Sequence, residues 1–140
     1  MNFKEWIYNN NIINSEEIEP NMIGFIYIIT NTVNNKKYIG RKLLTMAGYK
    51  TIKGKKKKIR KESNWKTYYG SCKELTEDIN NSDKKFFKRE ILLFCNSVAQ
   101  LNYYEAKLQF INEVVETDNW YNANIVARVY KKNILNKTIN

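Results

Sequence analysis

Histidine is absent from this 140-residue chain, proline occurs once, glycine five times and cysteine twice. Without histidine there is no Ser-His-Asp triad, no HExxH zinc site and no nuclease centre built on a histidine–metal pair. Cys72 and Cys95 are too few for a four-cysteine zinc site or a disulfide framework. The first residues, NFKEWIYNNN, lack a basic stretch followed by an apolar core, so no signal peptide is expected. The longest apolar run, residues 23–29, is far too short to cross a bilayer, and no membrane partner is expected. Two thiols without an export signal point to a reducing, cytoplasmic setting.

What the chain has in excess is positive charge. Lysine and arginine number 24 against 14 acids, giving a net charge of +10. Residues 50–61 read KTIKGKKKKIRK, and eight of these twelve are basic: Lys50, Lys53, Lys55, Lys56, Lys57, Lys58, Arg60 and Lys61. The rest of the protein is close to neutral, so the basicity is local. Such a cluster repels itself until it meets an anion, and a phosphate backbone is the natural partner because binding releases counterions. The bland alternative is a solvated loop. Gly54-Lys55 is not a P-loop, since it lacks the upstream glycine and the following Ser or Thr. Twenty of the basic residues are lysine and only four are arginine (Arg41, Arg60, Arg89, Arg128), so each arginine is a candidate for a role that needs its planar fork.

The length suits one domain. Residues 4–14 read as a short helix, followed by an acidic break at Glu16, Glu17, Glu19 and Pro20. GFIYIIT at 24–30 is β-branched and aromatic and reads as a strand. Asn34-Asn35 marks a turn, and residues 37–40 form a second strand, giving a hairpin. Residues 43–64 read as a long basic loop insertion. Ser71 and Glu74 have capping-box spacing, so Ser71 is expected to start a helix carrying Leu75 and Ile79 on one face. FFKREILLF at 86–94 is expected as a third strand. Leu101, Tyr104, Leu108, Ile111 and Val115 recur at helical spacing and predict an amphipathic helix. Tyr121 to Asn124 read as a turn, and residues 125–130 as a short strand or extended tail.

The hairpin sets Tyr27 beside Tyr38. GFIY at 24–27 and YIG at 38–40 resemble the paired signature of the GIY-YIG nucleases, with Phe25 standing between Gly24 and Ile26. The resemblance extends over roughly residues 22–125. The stretches GFIYIITN, KKYIGRK, NWKTYYGSCKEL and YNANI are most similar to the small free-standing phage homing-endonuclease branch. It leaves residues 1–21 as an N-terminal extension and 126–140 as a tail.

That resemblance implies an α+β fold with a small three-stranded, mainly antiparallel sheet flanked by helices. It implies a DNA endonuclease with one divalent metal, Mg²⁺ or Mn²⁺, on a helix glutamate. A tyrosine would position or deprotonate the attacking water, and an arginine would stabilise charge on the phosphate. Phosphodiester hydrolysis needs those roles: a nucleophile, a Lewis acid and a cation for the developing charge. A phenol can act as base only where cations favour the phenolate. Carried over by motif, Tyr27 is the candidate base and Tyr38 the second site tyrosine. Glu105 is the metal ligand, bordering the apolar stripe beside Tyr104 and Leu108. Asn122 is the terminal asparagine, with Asn124 as competitor. Arg41 is the first choice of arginine and Arg60 the second, with Lys66 as a substitute, and Tyr69 could fill a second phosphate-side position. The lysines of 50–61, Arg60 and Trp65 are candidate DNA contacts; Trp65, Tyr68 and Tyr69 could stack on bases or sugars, or equally anchor the loop to the core. The expected partner is double-stranded DNA, cut by two sequential events or by a transient homodimer, in a phage-infected host cell. The competing reading is a basic nucleic-acid-binding protein that keeps the fold without the chemistry. An RNA-associated basic protein is a third.

Overall fold

A computed structural model describes residues 3–135. Seven strands and three helices follow in the order β1 (Ile7–Tyr8), β2 (Asn11–Ile12), β3 (Gly24–Asn31), β4 (Lys37–Leu43), β5 (Thr45–Ile52), β6 (Lys55–Glu62), α1 (Lys73–Asn80), β7 (Phe87–Cys95), α2 (Val98–Ile111) and α3 (Lys131–Leu135). Five strands form one sheet in the order β2-β1-β7-β3-β4, and β5 and β6 pair only with each other. The α+β expectation holds, but the sheet has five strands rather than three. No helix among the described residues is long and apolar enough to cross a membrane.

The hairpin of β3 and β4 forms as its sequence predicts, antiparallel, with Tyr27 opposite Gly40 and Ile29 opposite Tyr38. Strict alternation sends Phe25, Tyr27 and Ile29 to one face and Ile26 and Ile28 to the other. The first face packs on Trp6, Trp65, Leu75, Ile79 and Tyr121. The second packs on Leu101, Tyr104 and Leu108 of α2. β7 lies on the other side of β3, antiparallel, with a bulge between the pairs made by Ile26 and Tyr27.

Four local expectations are corrected. Residues 4–14 form no helix. The segment set apart above as an extension turns at Asn9 and Asn10, both at positive φ, into the β1–β2 hairpin, and β1 joins β7 in parallel. Trp6 is fully buried there and donates from Nε1 to the Trp65 carbonyl at 2.7 Å. Residues 43–64 are not an open loop but the long antiparallel β5–β6 ribbon. Helix α1 starts one residue late, with Cys72 at the cap position making no side-chain bond to the helix, while the Ser71 hydroxyl faces Tyr38. Helix α2 stops at Ile111, before Val115. Glu113 takes φ 55°, its N–H donates to Phe110 and that of Val114 to Gln109, and Val114 is buried. This left-handed closure satisfies the last carbonyls and leaves Ile111 and Val115 exposed. Among the described residues beyond Tyr121, none adds a strand to the sheet.

Candidate active site

β4 is an edge strand, and its outward backbone groups at alternate residues have to find partners. Lys37 is met by backbone: its N–H donates to Asn119 and its carbonyl accepts from Tyr121 at 2.7 Å. At Ile39 side chains take over. The Ile39 N–H donates to Asn122 Oδ1 at 3.1 Å, and its carbonyl accepts from Asn122 Nδ2 at 2.8 Å and Gln109 Nε2 at 3.0 Å. At Arg41 the outward amide faces the carboxylate of Glu105. Farther along, Ser63 Oγ donates to the Leu43 carbonyl at 2.5 Å. Glu105 and Gln109 stand one turn apart on α2, so one helix face supplies two of these edge partners.

Around the open end of this edge lies a cleft of about 330 Å³ lined by Tyr27, Tyr38, Arg41, Lys42, Tyr68, Ser71 and Glu105. The two sheet faces contribute different chemistry. Tyr27, Tyr38 and Lys42 come from one face, while Arg41 and Glu105 come from the other and meet them around β4. Gly40 permits this. A Cβ there would lie 2.5 Å from Tyr27 Oη and 2.8 Å from Tyr38 Cε2, so only glycine lets the phenols lie over the strand. A second hollow, beyond Tyr38 and Glu105, is lined by Gln109, Asn122 and Asn124.

Burial, the negative charge of neighbouring groups and a hydrogen bond to Tyr68 push the Tyr27 hydroxyl well above the ordinary phenol range. Tyr38 is pushed up to about 12, chiefly by burial, while the Ser71 hydroxyl pulls it partly back. Both phenols are neutral hydrogen-bonding groups at physiological pH. Burial raises Glu105 above its usual range, and Arg41, through its charge and its backbone amide, pulls it partly back. The Arg41 Nε lies 3.9 Å from Glu105 Oε1, an ion pair loose enough to admit a ligand. Lys42 is lowered by burial, donates to Asn64 at 2.7 Å and sits 4.1 Å over the Tyr68 ring.

Among the described residues, Glu105 is the one carboxylate lining this cleft. A hard cation such as Mg²⁺ takes one or two carboxylates and fills its remaining positions with water and substrate phosphate oxygens, which fits a single acid at the mouth of an open, basic cleft. Among the described residues no group of three or more His, Cys, Asp or Glu side chains forms a closed metal cage.

The structure thus brings Tyr27, Tyr38, Arg41 and Glu105 to one place. Asn122 adjoins them with its amide engaged on the Ile39 backbone, and Asn124 is exposed beside it. The substitutes lie elsewhere. Arg60 donates to Thr45 at the base of the ribbon, and Lys66 pairs with Glu62 at 3.4 Å on the surface. Tyr69 stacks on Arg89 at 4.1 Å, in a separate hollow with Lys66, Lys84 and Lys85. Trp65 is 4% exposed and donates to Glu62, so it anchors the core and offers no face to a base. Arg89 is only 2% exposed and donates to the carbonyls of Lys4, Lys66 and Tyr68, a role in joining segments. Sequence reasoning missed Lys42 and Gln109, gave Ser71 only a capping role, and offered Tyr68 as a stacking residue or a core anchor rather than as part of this cleft. Helical spacing alone places Gln109 on the face of Glu105, and period-two alternation places Lys42 with Tyr38.

The cleft at this edge thus gathers two hairpin tyrosines, one helix carboxylate and a strand arginine. The chain matches, over residues 6–125, the family model described as "Putative endonuclease segE, GIY-YIG domain". It belongs to that GIY-YIG endonuclease family. Searches of curated proteins and of solved structures give no match.

Proposed function

We propose that the protein is a metal-dependent DNA endonuclease that hydrolyses phosphodiester bonds at the open end of β4, in the manner of a phage homing endonuclease. The observation that supports this reading is the convergence of Tyr27, Tyr38, Arg41 and Glu105 on one cleft from opposite faces of the sheet. Glu105 would hold Mg²⁺ or Mn²⁺, which when bound supplies Lewis acidity to a phosphate oxygen and offsets the cost of the buried carboxylate. Arg41 binds the scissile phosphate with a permanent charge, and Lys42 adds a second cation on the other side of the strand. Tyr38 and Tyr27, held neutral, orient water and phosphate by hydrogen bonding. Tyr27 reaches the phenolate needed of a base only when cations gather beside it. Asn122 is a positioning residue: it fixes the backbone next to Tyr38.

The test is conversion of supercoiled plasmid to nicked or linear forms, with Mg²⁺ and with EDTA, by wild type and Glu105→Ala. The expected result is Mg²⁺-dependent cutting that vanishes in the variant. Cutting that persists in Glu105→Ala would remove Glu105 from the site. Retained DNA binding without cutting by either protein would favour the basic nucleic-acid-binding reading.

A further inference from the structure

The β5–β6 ribbon belongs to neither core cluster. Its eight residue pairs run from Thr45↔Glu62 to Ile52↔Lys55, closed by Lys53 and Gly54 at φ 51° and 75°. Two positive-φ residues make the tight hairpin turn whose twist matches the strands. An isolated two-stranded hairpin is marginal in water, and this one sets Lys50 directly against Lys57, a destabilising like-charge pair. Its base, by contrast, is held firmly. Leu44, the single residue joining it to β4, is buried and bonded through its N–H to Ile23, and its carbonyl accepts from Ser63. Arg60 clasps Thr45 across the two strands.

The distribution of charge along the ribbon decides how it can meet DNA. Consecutive residues of a strand face opposite ways, so the unbroken run Lys55 to Lys58 puts Lys55 and Lys57 on one face and Lys56 and Lys58 on the other. Lys50 adds to the first face, and all five are exposed. A surface that lies flat on a duplex needs cations on one face only. Cations on both faces suit a ribbon placed inside a groove with phosphates on either side. Two strands are about 4.8 Å apart before side chains are added, which fits the major groove at about 12 Å and not the minor groove at about 6 Å.

We propose that the β5–β6 ribbon is the DNA-recognition arm of this protein and inserts tip first into the major groove. The proposal rests on the reading of the partner as duplex DNA, but not on cleavage. Because Leu44 alone separates the arm from the strand bearing Tyr38 and Arg41, the recognised bases lie to one side of the cut at a fixed offset. Eight residues reach about 26 Å, so the offset is at most about eight base pairs, at about 3.4 Å each.

The test uses Glu105→Gln protein without metal and a labelled duplex, with affinity measured across a salt series. Two paired variants are compared, Lys55→Ala/Lys57→Ala and Lys56→Ala/Lys58→Ala. The expected result is that both weaken binding and that each flattens the log–log salt slope by about 1.8, the value for two phosphate contacts. Methylation of guanine N7, which projects into the major groove, is expected to block binding. A minor-groove ligand is expected not to. If one pair proves silent while the other carries the whole effect, the ribbon lies flat and the insertion is wrong. Displacement by the minor-groove ligand, with N7 methylation harmless, overturns it equally. Failure of the wild type to cut plasmid would sink the nuclease reading and leave these outcomes untouched.

Discussion

Tyr27 lies across the strand pair on Gly40, and a single added methyl group at position 40 would come within 2.5 Å of its hydroxyl oxygen. The glycine of the second half-motif is thus the space in which the tyrosine of the first half-motif sits. Gly40→Ala is expected to push both phenols off the strand. Overpacking of this kind costs about 1–3 kcal/mol, and a displacement of about 1 Å at a reacting centre can cost about 100-fold in rate. Plasmid nicking and urea denaturation on the same preparation check the two effects. A variant that nicks at the wild-type rate would show that the Tyr27–Gly40 contact has no part in catalysis.

Asn122 presents a different kind of dependence. Both ends of its amide are spent on the Ile39 backbone. Asn122→Ala is expected to leave the Ile39 N–H without its partner, a loss of about 1–3 kcal/mol, and to slow nicking through a loosened Tyr38. The stability readout separates positioning from direct contact with substrate: a variant that loses activity at an unchanged urea midpoint would mean that Asn122 touches DNA.

The arginines should divide cleanly. Arg41→Ala is expected to leave the urea midpoint nearly unchanged, since its ion pair is long and its side chain 37% exposed, while cutting falls about 100- to 1,000-fold, the usual effect of losing one charge-stabilising donor. Arg89→Ala should do the reverse. It leaves three backbone carbonyls unpaired, each costing about 1–3 kcal/mol, so its failure appears in denaturation before it appears in activity. Rescue of cutting in Arg41→Lys, but not in Arg41→Gln, would tie the effect to charge.

Glu105 gives a pH signature with a definite sign. Its folded pKa is raised, with burial as the main cause. A raised acid favours the protonated form in the folded state, so its stabilising contribution is present below the unfolded value and lost as pH rises through the folded one. Without metal, Glu105→Gln is therefore expected to melt at or above the wild-type temperature at pH 7, with the advantage disappearing as pH falls below the ordinary carboxylate value of 4.5. Added Mg²⁺ should stabilise wild type and not the variant. Melting curves at several pH values, with and without metal, test this. Lower stability of the variant at neutral pH would contradict the burial effect.

The parts of the fold legible in the sequence are those with long, regular patterns. β3 and β7 are eight and nine residues of largely apolar chain, and Leu101, Tyr104 and Leu108 mark one face of α2 unambiguously. Strands of two residues, as in β1 and β2, have no period to detect, and Trp6 alone does not announce a core position. The ribbon was hidden by composition: lysine and glycine are poor strand formers, and a run of lysines shows no alternation even when it alternates. Its available signal was Lys53-Gly54 between two eight-residue arms. Ser71 misled because a hydroxyl that matches a capping box can also serve a tyrosine. At the site, the two half-motifs pointed to Tyr27 and Tyr38 and the helix pattern to Glu105, and the structure brings these three to one cleft. Arg41, the first choice among four arginines, meets Glu105 only around the edge of a strand, a relationship that linear spacing does not show.

The long reach of these contacts also sets the order in which the protein is assembled. β1 waits for a strand some eighty residues later, with Ile7 opposite Glu90, and the clamp on Ile39 comes from Asn122, 83 residues downstream. During synthesis the β3–β4 hairpin therefore emerges with β3's second edge bare until β7 follows. The clamp on Ile39 can form only after the segment carrying Asn122 has emerged. A chain still on the ribosome, or cut short before that segment, carries Tyr27, Tyr38 and Arg41 but lacks the splint that holds them together. Under the proposed nuclease function, the site is complete only once the chain has been made through Asn122.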